Sequence, residues 1–149
     1  KKKTALYVND VEFFKEKKIN IKRDNLIIRL KKSKVTKDSL LHRLAYHDFY
    51  LLKKFINLND IRITKFVKKK KYLLIHLFSG NKAFKFMYSI NSNIKKHSIN
   101  QINMMKFKRD PLEKMLNFVL NENKKNFKKN FSNTYFASKL ISYIDKSLY

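Results

Sequence analysis

A chain with one glycine, Gly80, and one proline, Pro111, among 149 residues has few places where the backbone turns sharply without strain or where a pre-set φ starts a helix. Each of the two residues marks a boundary. Ser79-Gly80-Asn81 is the single strong hairpin turn, because Gly80 and Asn81 both tolerate positive φ. Asp110-Pro111 is a strong helix start, with Asp110 as N-cap, Pro111 at the first helical position and Glu113 beside the positive end of the dipole. The same scarcity excludes whole function classes. Phosphate-cradling loops need several glycines so that backbone N–H groups can approach the ligand, and neither the P-loop nor the dinucleotide fingerprint can be written with Gly80 alone.

The chain has no Cys, which removes disulfide frameworks, thiolate zinc sites, iron–sulfur clusters and cysteine nucleophiles together. Hydrophobic residues make up 44% and aromatics 14%, a globular composition with length enough for one modest core. Against 11 Asp plus Glu stand 36 Lys plus Arg, a net charge of +25. Such a charge repels itself unless a polyanion neutralises it, and nucleic acid or an anionic membrane surface are the available polyanions. Only five of the basic residues are Arg, while Lys, Asn, Ile, Phe and Tyr are abundant. Those are amino acids of A/T-rich codons, so part of the Lys excess reflects genome composition, nuclear or organellar, rather than recognition. An RNA binder selected for recognition alone would use more Arg, whose planar fork grips phosphates bidentately. No apolar run approaches the roughly 20 residues that span a bilayer, and Lys1-Lys2-Lys3 lacks the apolar core of a secretory signal. No membrane insertion is expected.

Three regions are expected: an N-terminal arm over 1–24, a folded domain over 25–120, and a basic linker with a C-terminal helix over 121–149. In the arm, Ala5-Leu6-Tyr7-Val8 is β-like, and Phe13 and Phe14 are candidates for docking on a partner. Leu26-Ile27-Ile28-Arg29-Leu30 reads as the first strand. Thr36 and Asp38 are acceptable N-caps for the clearest helix, whose apolar residues run from Leu40 to Ile56. Ile61 and Ile63 then begin one extended segment, expected to continue through Lys68–Lys71 into Tyr72–Phe78. Ala83–Tyr88 alternates with period two as the returning strand, and 89–96 is a polar loop. A further extended stretch is expected near Ile102–Met104. The Pro111 helix carries Leu112, Met115, Leu116, Val119 and Leu120 as its apolar stripe. Residues 121–130 are expected to be a linker, and Ser132-Asn133 to cap a last helix with Phe136, Leu140, Tyr143 or Ile144, and Leu148 on one side. This order predicts α+β topology, a small ferredoxin-like sheet with two helices and a long protruding hairpin, plus N- and C-terminal extensions.

Catalytic and metal signatures are weak. His42 and His47 are five residues apart, too far around a helix to share a face, and His76 and His97 are isolated in sequence. Asp110 and Glu113 are better explained by capping than by acid–base work. No serine sits in a Gly-x-Ser-x-Gly elbow. Neither an enzymatic activity, a small-molecule substrate nor a cofactor is expected. Lysines interleaved with rings are more informative. They recur in Phe66–Tyr72 with Lys68, Lys69, Lys70 and Lys71, in Phe84–Tyr88, and in Asn126–Phe131 with Lys128 and Lys129. There rings can anchor the backbone while ammonium groups meet phosphates.

Asn91-Ser92-Asn93-Ile94-Lys95-Lys96-His97-Ser98-Ile99-Asn100-Gln101-Ile102-Asn103, ending in Lys108-Arg109, resembles the hairpin of the small-subunit ribosomal protein ten family, Ser-Pro-His-x-x-Lys-x-Ser-Arg-x-Gln-Phe-Glu followed by Lys-Arg. Lys96, Ser98, Gln101, Lys108 and Arg109 fall on matching positions. Ser92, Asn93, Ile99 and Asn103 stand where that family has Pro, His, Arg and Glu. The resemblance covers about 25–120 and implies a divergent mitochondrial ribosomal protein of the small subunit. It would bind rRNA through Lys68–Lys71, Lys95, Lys96, Ser98, Gln101, Lys106, Lys108, Arg109, Lys128 and Lys129. Phe13, Phe14, Phe136, Leu140 and Ile144 would dock on neighbouring ribosomal proteins. A large-subunit protein, a respiratory-complex accessory subunit and a DNA-packaging protein are alternative readings of the same charge.

Overall fold

The computed structural model describes residues 11–15, 17–32, 40–107, 109–121 and 124–147. After a 3-10 turn at Val11–Lys15, β1 spans Asp24–Lys31. A helix follows, π-wound over Leu41–Ala45 and α-helical over Tyr46–Leu52 (α1). A second 3-10 turn, Leu58–Asp60, leads into β2 (Ile61–Lys69), β3 (Tyr72–Ser79), β4 (Lys82–Ile90), β5 (Lys96–Ile99) and β6 (Ile102–Asn103). Two helices end the chain, α2 (Pro111–Leu120) and α3 (Lys124–Lys146).

The strands form one mixed sheet in the order β2-β3-β4-β1-β5-β6. β1 lies parallel to β4 and antiparallel to β5, the other pairs being antiparallel. The fold is therefore α+β, and β3-β4-β1-β5 with α1 crossing over after β1 is compatible with a ferredoxin-like arrangement. In place of a helix between β4 and β5 the chain crosses the end of β1 through Asn91–Lys95, tied by Ser92 N–H donating to the Lys31 carbonyl at 3.1 Å. α3 packs beside α1.

Alternation along the strands decides which face is covered. Phe66, Ile75, Phe86, Ile27 and Ile99 are successive cross-strand partners, and this row packs into the core beneath the helices. On β4, Phe84, Phe86 and Tyr88 stack at 6.3 Å centroid spacing, and Phe49 of α1 meets Phe86 edge-on at 5.1 Å. Edge-on and offset ring pairs of this kind add about 0.5–1.5 kcal/mol each beyond their buried area.

Several expectations are corrected. The extended segment from Ile61 to Phe78 is two strands, because the chain reverses at Lys70-Lys71. A continuous strand would have aimed some of the four lysines at the apolar face; at the turn all four stay exposed. The β3–β4 hairpin lies at the centre of the sheet instead of projecting from it. Gly80 takes φ +57° at its turn, whereas Asn81 does not need positive φ. The linker expected over 121–130 is already helical from Lys124, and Ser132-Asn133 lies inside α3. Buried Asn130 anchors this turn by donating to the Tyr50 hydroxyl at 2.9 Å. Of the α2 stripe, Met115 is buried while Leu112, Leu116, Val119 and Leu120 are exposed. α2 lies on the N-terminal 3-10 turn through the opposite side, with Phe118 edge-on to Phe14 at 5.1 Å.

Phe14, Phe136, Leu140 and Ile144, expected to dock on a partner, are buried within the chain itself. A helix of 23 residues beside α1 hides its apolar stripe in the nearest core, which leaves those side chains nothing to offer a neighbour. Ala5–Val8, Thr36, Asp38, Lys108, Leu148 and the Phe13 side chain lie outside the described residues.

Candidate nucleic-acid interface

The register builds a surface on the sheet face opposite the helices. One row across it reads Lys69, Tyr72, Ser89, Leu30, Lys96. The next reads Val67, Leu74, Met87, Ile28, Ser98. Lys65, His76, Lys85 and Leu26 form the third, and Arg62, Phe78, Ala83 and Asp24 the fourth. The groove that opens on this face is lined by strand, turn and loop residues, with no helix residue among them. An apolar band is thus flanked on both sides by cationic rows.

Lys68–Lys71 and Lys95–Lys96, some 25 residues apart in sequence, are brought to one end of the sheet by this register. Lys31 and Lys32 close the same end, because β1 finishes there alongside β4. Like charges gathered at one end of a sheet repel one another, and a bound polyanion offsets that repulsion.

The electrostatic effect is visible at His76, flanked across the strands by Lys65 and Lys85. Its pKa is lowered, first by partial burial and then by Lys85 and Lys65. The ring is therefore held neutral, a flat and stackable surface between two ammonium groups. Beside it Arg62 lies over the Phe78 ring, 5.3 Å from its centroid. A groove of about 480 Å³ runs over Leu26, His76, Phe78, Lys85 and Met87 and ends at Gln101.

The wall at Gln101 is built by local chemistry. Asn100 and Gln101 form the β5–β6 turn with φ of 47° and 72°, the double positive φ of a two-residue hairpin. Asn100 offsets the strain, accepting from Leu26 N–H at 2.8 Å and donating to Asn25 Oδ1 at 2.7 Å and to the Asn20 carbonyl at 2.8 Å. Asn25 in turn donates to the Lys22 and Ala83 carbonyls at 2.8 and 3.0 Å.

The residues expected to bind RNA divide accordingly. Lys68, Lys69, Lys70, Lys71, Lys95 and Lys96 converge on one end, and Gln101 borders the groove. Ser98 is in the middle row but buried. Lys106 and Arg109 are exposed on the loop between β6 and α2, and Lys128 and Lys129 on α3, so these four do not join the face. The sequence reading marked Lys85 within the ring-interleaved run Phe84–Tyr88 but missed Arg62, Lys65 and His76. The signal was present in the period-two positions of β2, β3 and β4, but it needed the register to become a surface.

On the covered face lies a buried polar group that the sequence reading also missed. Arg29 Nη2 and His97 Nε2 both donate to Asp48 Oδ1, at 2.9 and 2.8 Å. The three residues are 4%, 5% and 0% exposed. Burial pushes the Asp48 carboxyl upward, but the Arg29 guanidinium and His97 overcome it and the net shift is well below the usual carboxylate range. Burial beside this carboxylate raises the Tyr88 hydroxyl well above its ordinary value. The arrangement is sealed, and it ties β1, α1 and β5 together. Among the described residues no three His, Asp or Glu side chains are grouped to hold a metal ion. Nor is any described helix long and apolar enough to cross a membrane. No family model, curated protein or solved structure matches this chain.

Proposed function

We propose that the protein is a non-catalytic RNA-binding constituent of a ribosome, in the small subunit of a mitochondrial ribosome as the resemblance to the ribosomal protein ten family implies. The observation that supports this most is the uncovered sheet face, where cationic rows flank an apolar band and six lysines of two separate tracts meet at one end. RNA offers both complements. Its phosphates neutralise the ammonium groups, and unstacked bases cover apolar and aromatic side chains. Lys is a point charge without Arg's fork, so shape and phosphate contacts dominate over base readout.

Sedimentation of tagged protein from lysed mitochondria tests the assignment. The expected result is comigration with small-subunit rRNA. Comigration with a detergent-solubilised respiratory complex and not with that rRNA overturns it. Replacing Lys68–Lys71 with Gln is expected to reduce incorporation, and unchanged assembly would make that turn a merely solvated end of the sheet.

A further inference from the structure

A second basic site lies on the helix side. A cleft of about 310 Å³ opens between the Lys17–Ile19 segment, the end of α1 and α3. Five lysines line it, Lys17, Lys18, Lys53, Lys54 and Lys129, and among the described residues no carboxylate is part of the lining. Its floor is apolar and aromatic, formed by Tyr50, Phe55 and Met104 among others. The site is fixed in place: Lys53 Nζ donates to Ser132 Oγ of α3, and Asn130 donates to the hydroxyl of the floor residue Tyr50.

An anion on the open sheet face cannot neutralise this cleft. The helix layer separating them is about 10 Å thick, and charges farther apart than the Debye length of about 8–10 Å at physiological salt are largely screened from each other. The two basic surfaces are therefore separate electrostatic targets for polyanions. We propose that the cleft holds the phosphate backbone of a second RNA segment, so that the protein joins two RNA segments across its thickness. This rests on the RNA-binding reading of the sheet face and adds a second, separately addressable site.

The test uses the full chain with two short RNAs, one carrying a fluorescence donor and the other an acceptor, and compares it with Lys53→Gln/Lys54→Gln/Lys129→Gln. Energy transfer reports bridging, anisotropy reports binding of one RNA, and the mass of the complex by sedimentation distinguishes one protein with two RNAs from a protein dimer. Wild type is expected to bridge as one protein with two RNAs. The cleft variant should still bind one RNA, which also establishes that it folds. Its affinity for the second should fall about a hundredfold near 0.1 M salt, from a slope of about 0.7 per phosphate contact over three lysines. Bridging by the variant equal to wild type overturns the proposal. So does a wild-type protein that binds one RNA and never two, which leaves the sheet-face reading standing. Failure to bind any RNA overturns both.

Discussion

Replacing Asp48 with Ala is expected to destabilise the protein more than any charge change on its surface. The Asp48 side chain is fully buried, and its Oδ1 accepts from Arg29 at 2.9 Å and His97 at 2.8 Å. Truncation leaves the guanidinium in the interior without the carboxylate that balances it, a change that costs about 3–5 kcal/mol in comparable buried pairs. Against a total stability of about 5–15 kcal/mol, that is a large fraction. With a urea dependence near 2 kcal/mol/M, the unfolding midpoint should fall by about 1.5–2.5 M. Replacing both charges, Arg29→Met with Asp48→Leu, should cost less, because a buried ion pair gains little over well-packed apolar groups and the remaining penalty is about 1–3 kcal/mol for the buried His97 N–H left without its acceptor. The pH dependence has a fixed sign. Because the folded carboxyl is held below its ordinary value, its contribution is complete above the unfolded pKa of about 3.9 and is lost as pH falls from there toward the folded value. The gap between wild type and Asp48→Ala should therefore be constant from neutral pH to about pH 5 and narrow only in stronger acid. A midpoint shift under about 0.5 M, or a gap that closes already between neutrality and pH 5, would refute the reasoning.

Three further outcomes are expected. Lys65→Gln/Lys85→Gln/Lys96→Gln should lower the salt slope of RNA binding by about 2–3 units, at 0.7–0.9 per phosphate contact; fluorescence anisotropy across a salt series measures it, and an unchanged slope removes the sheet face from the interface. Saturating RNA should perturb the His76 ring resonances, because phosphates offset the Lys85 and Lys65 charges beside it while a covering base deepens the burial that depresses its pKa most, and ring resonances that do not move at saturation would place RNA elsewhere. Gly80→Ala should cost about 1–2 kcal/mol in urea unfolding. Here the penalty is conformational: φ is +57°, while the added Cβ meets only ordinary contact with Asp60 Oδ2 at 3.4 Å. A neutral result would mean that the turn relaxes to another geometry.

Elements with local signals were legible without tertiary information. Gly80 marks the β3–β4 turn, Asp110 accepts from Leu112 N–H at 2.9 Å as the α2 cap with Pro111 following, and the β-branched run at Leu26 is β1. The turn at Lys70-Lys71 was hidden because neither residue takes positive φ, so no Gly or Asn was required there. The first turns of α3 were hidden because Lys and Asn carry no periodic apolar signal, and helix there is held by Asn130 reaching Tyr50.

The sequence by itself determined the building blocks: a +25 charge, an apolar fraction sufficient for a core, the Gly80 turn, the α2 start and the alternation of β4. Those properties belong to single residues or to neighbours in the chain. Tertiary structure alone decided that Arg29, in an apolar strand, meets Asp48 and His97 in the interior, that Phe136, Leu140 and Ile144 are consumed by the protein's own core, and that lysines from separate tracts share one end of a sheet. The first and third depend on register between distant strands, where a shift of one residue would exchange the two faces of a strand, and the second on α3 packing beside α1. Charge is additive along a chain, whereas a surface is a statement about which residues are neighbours in space.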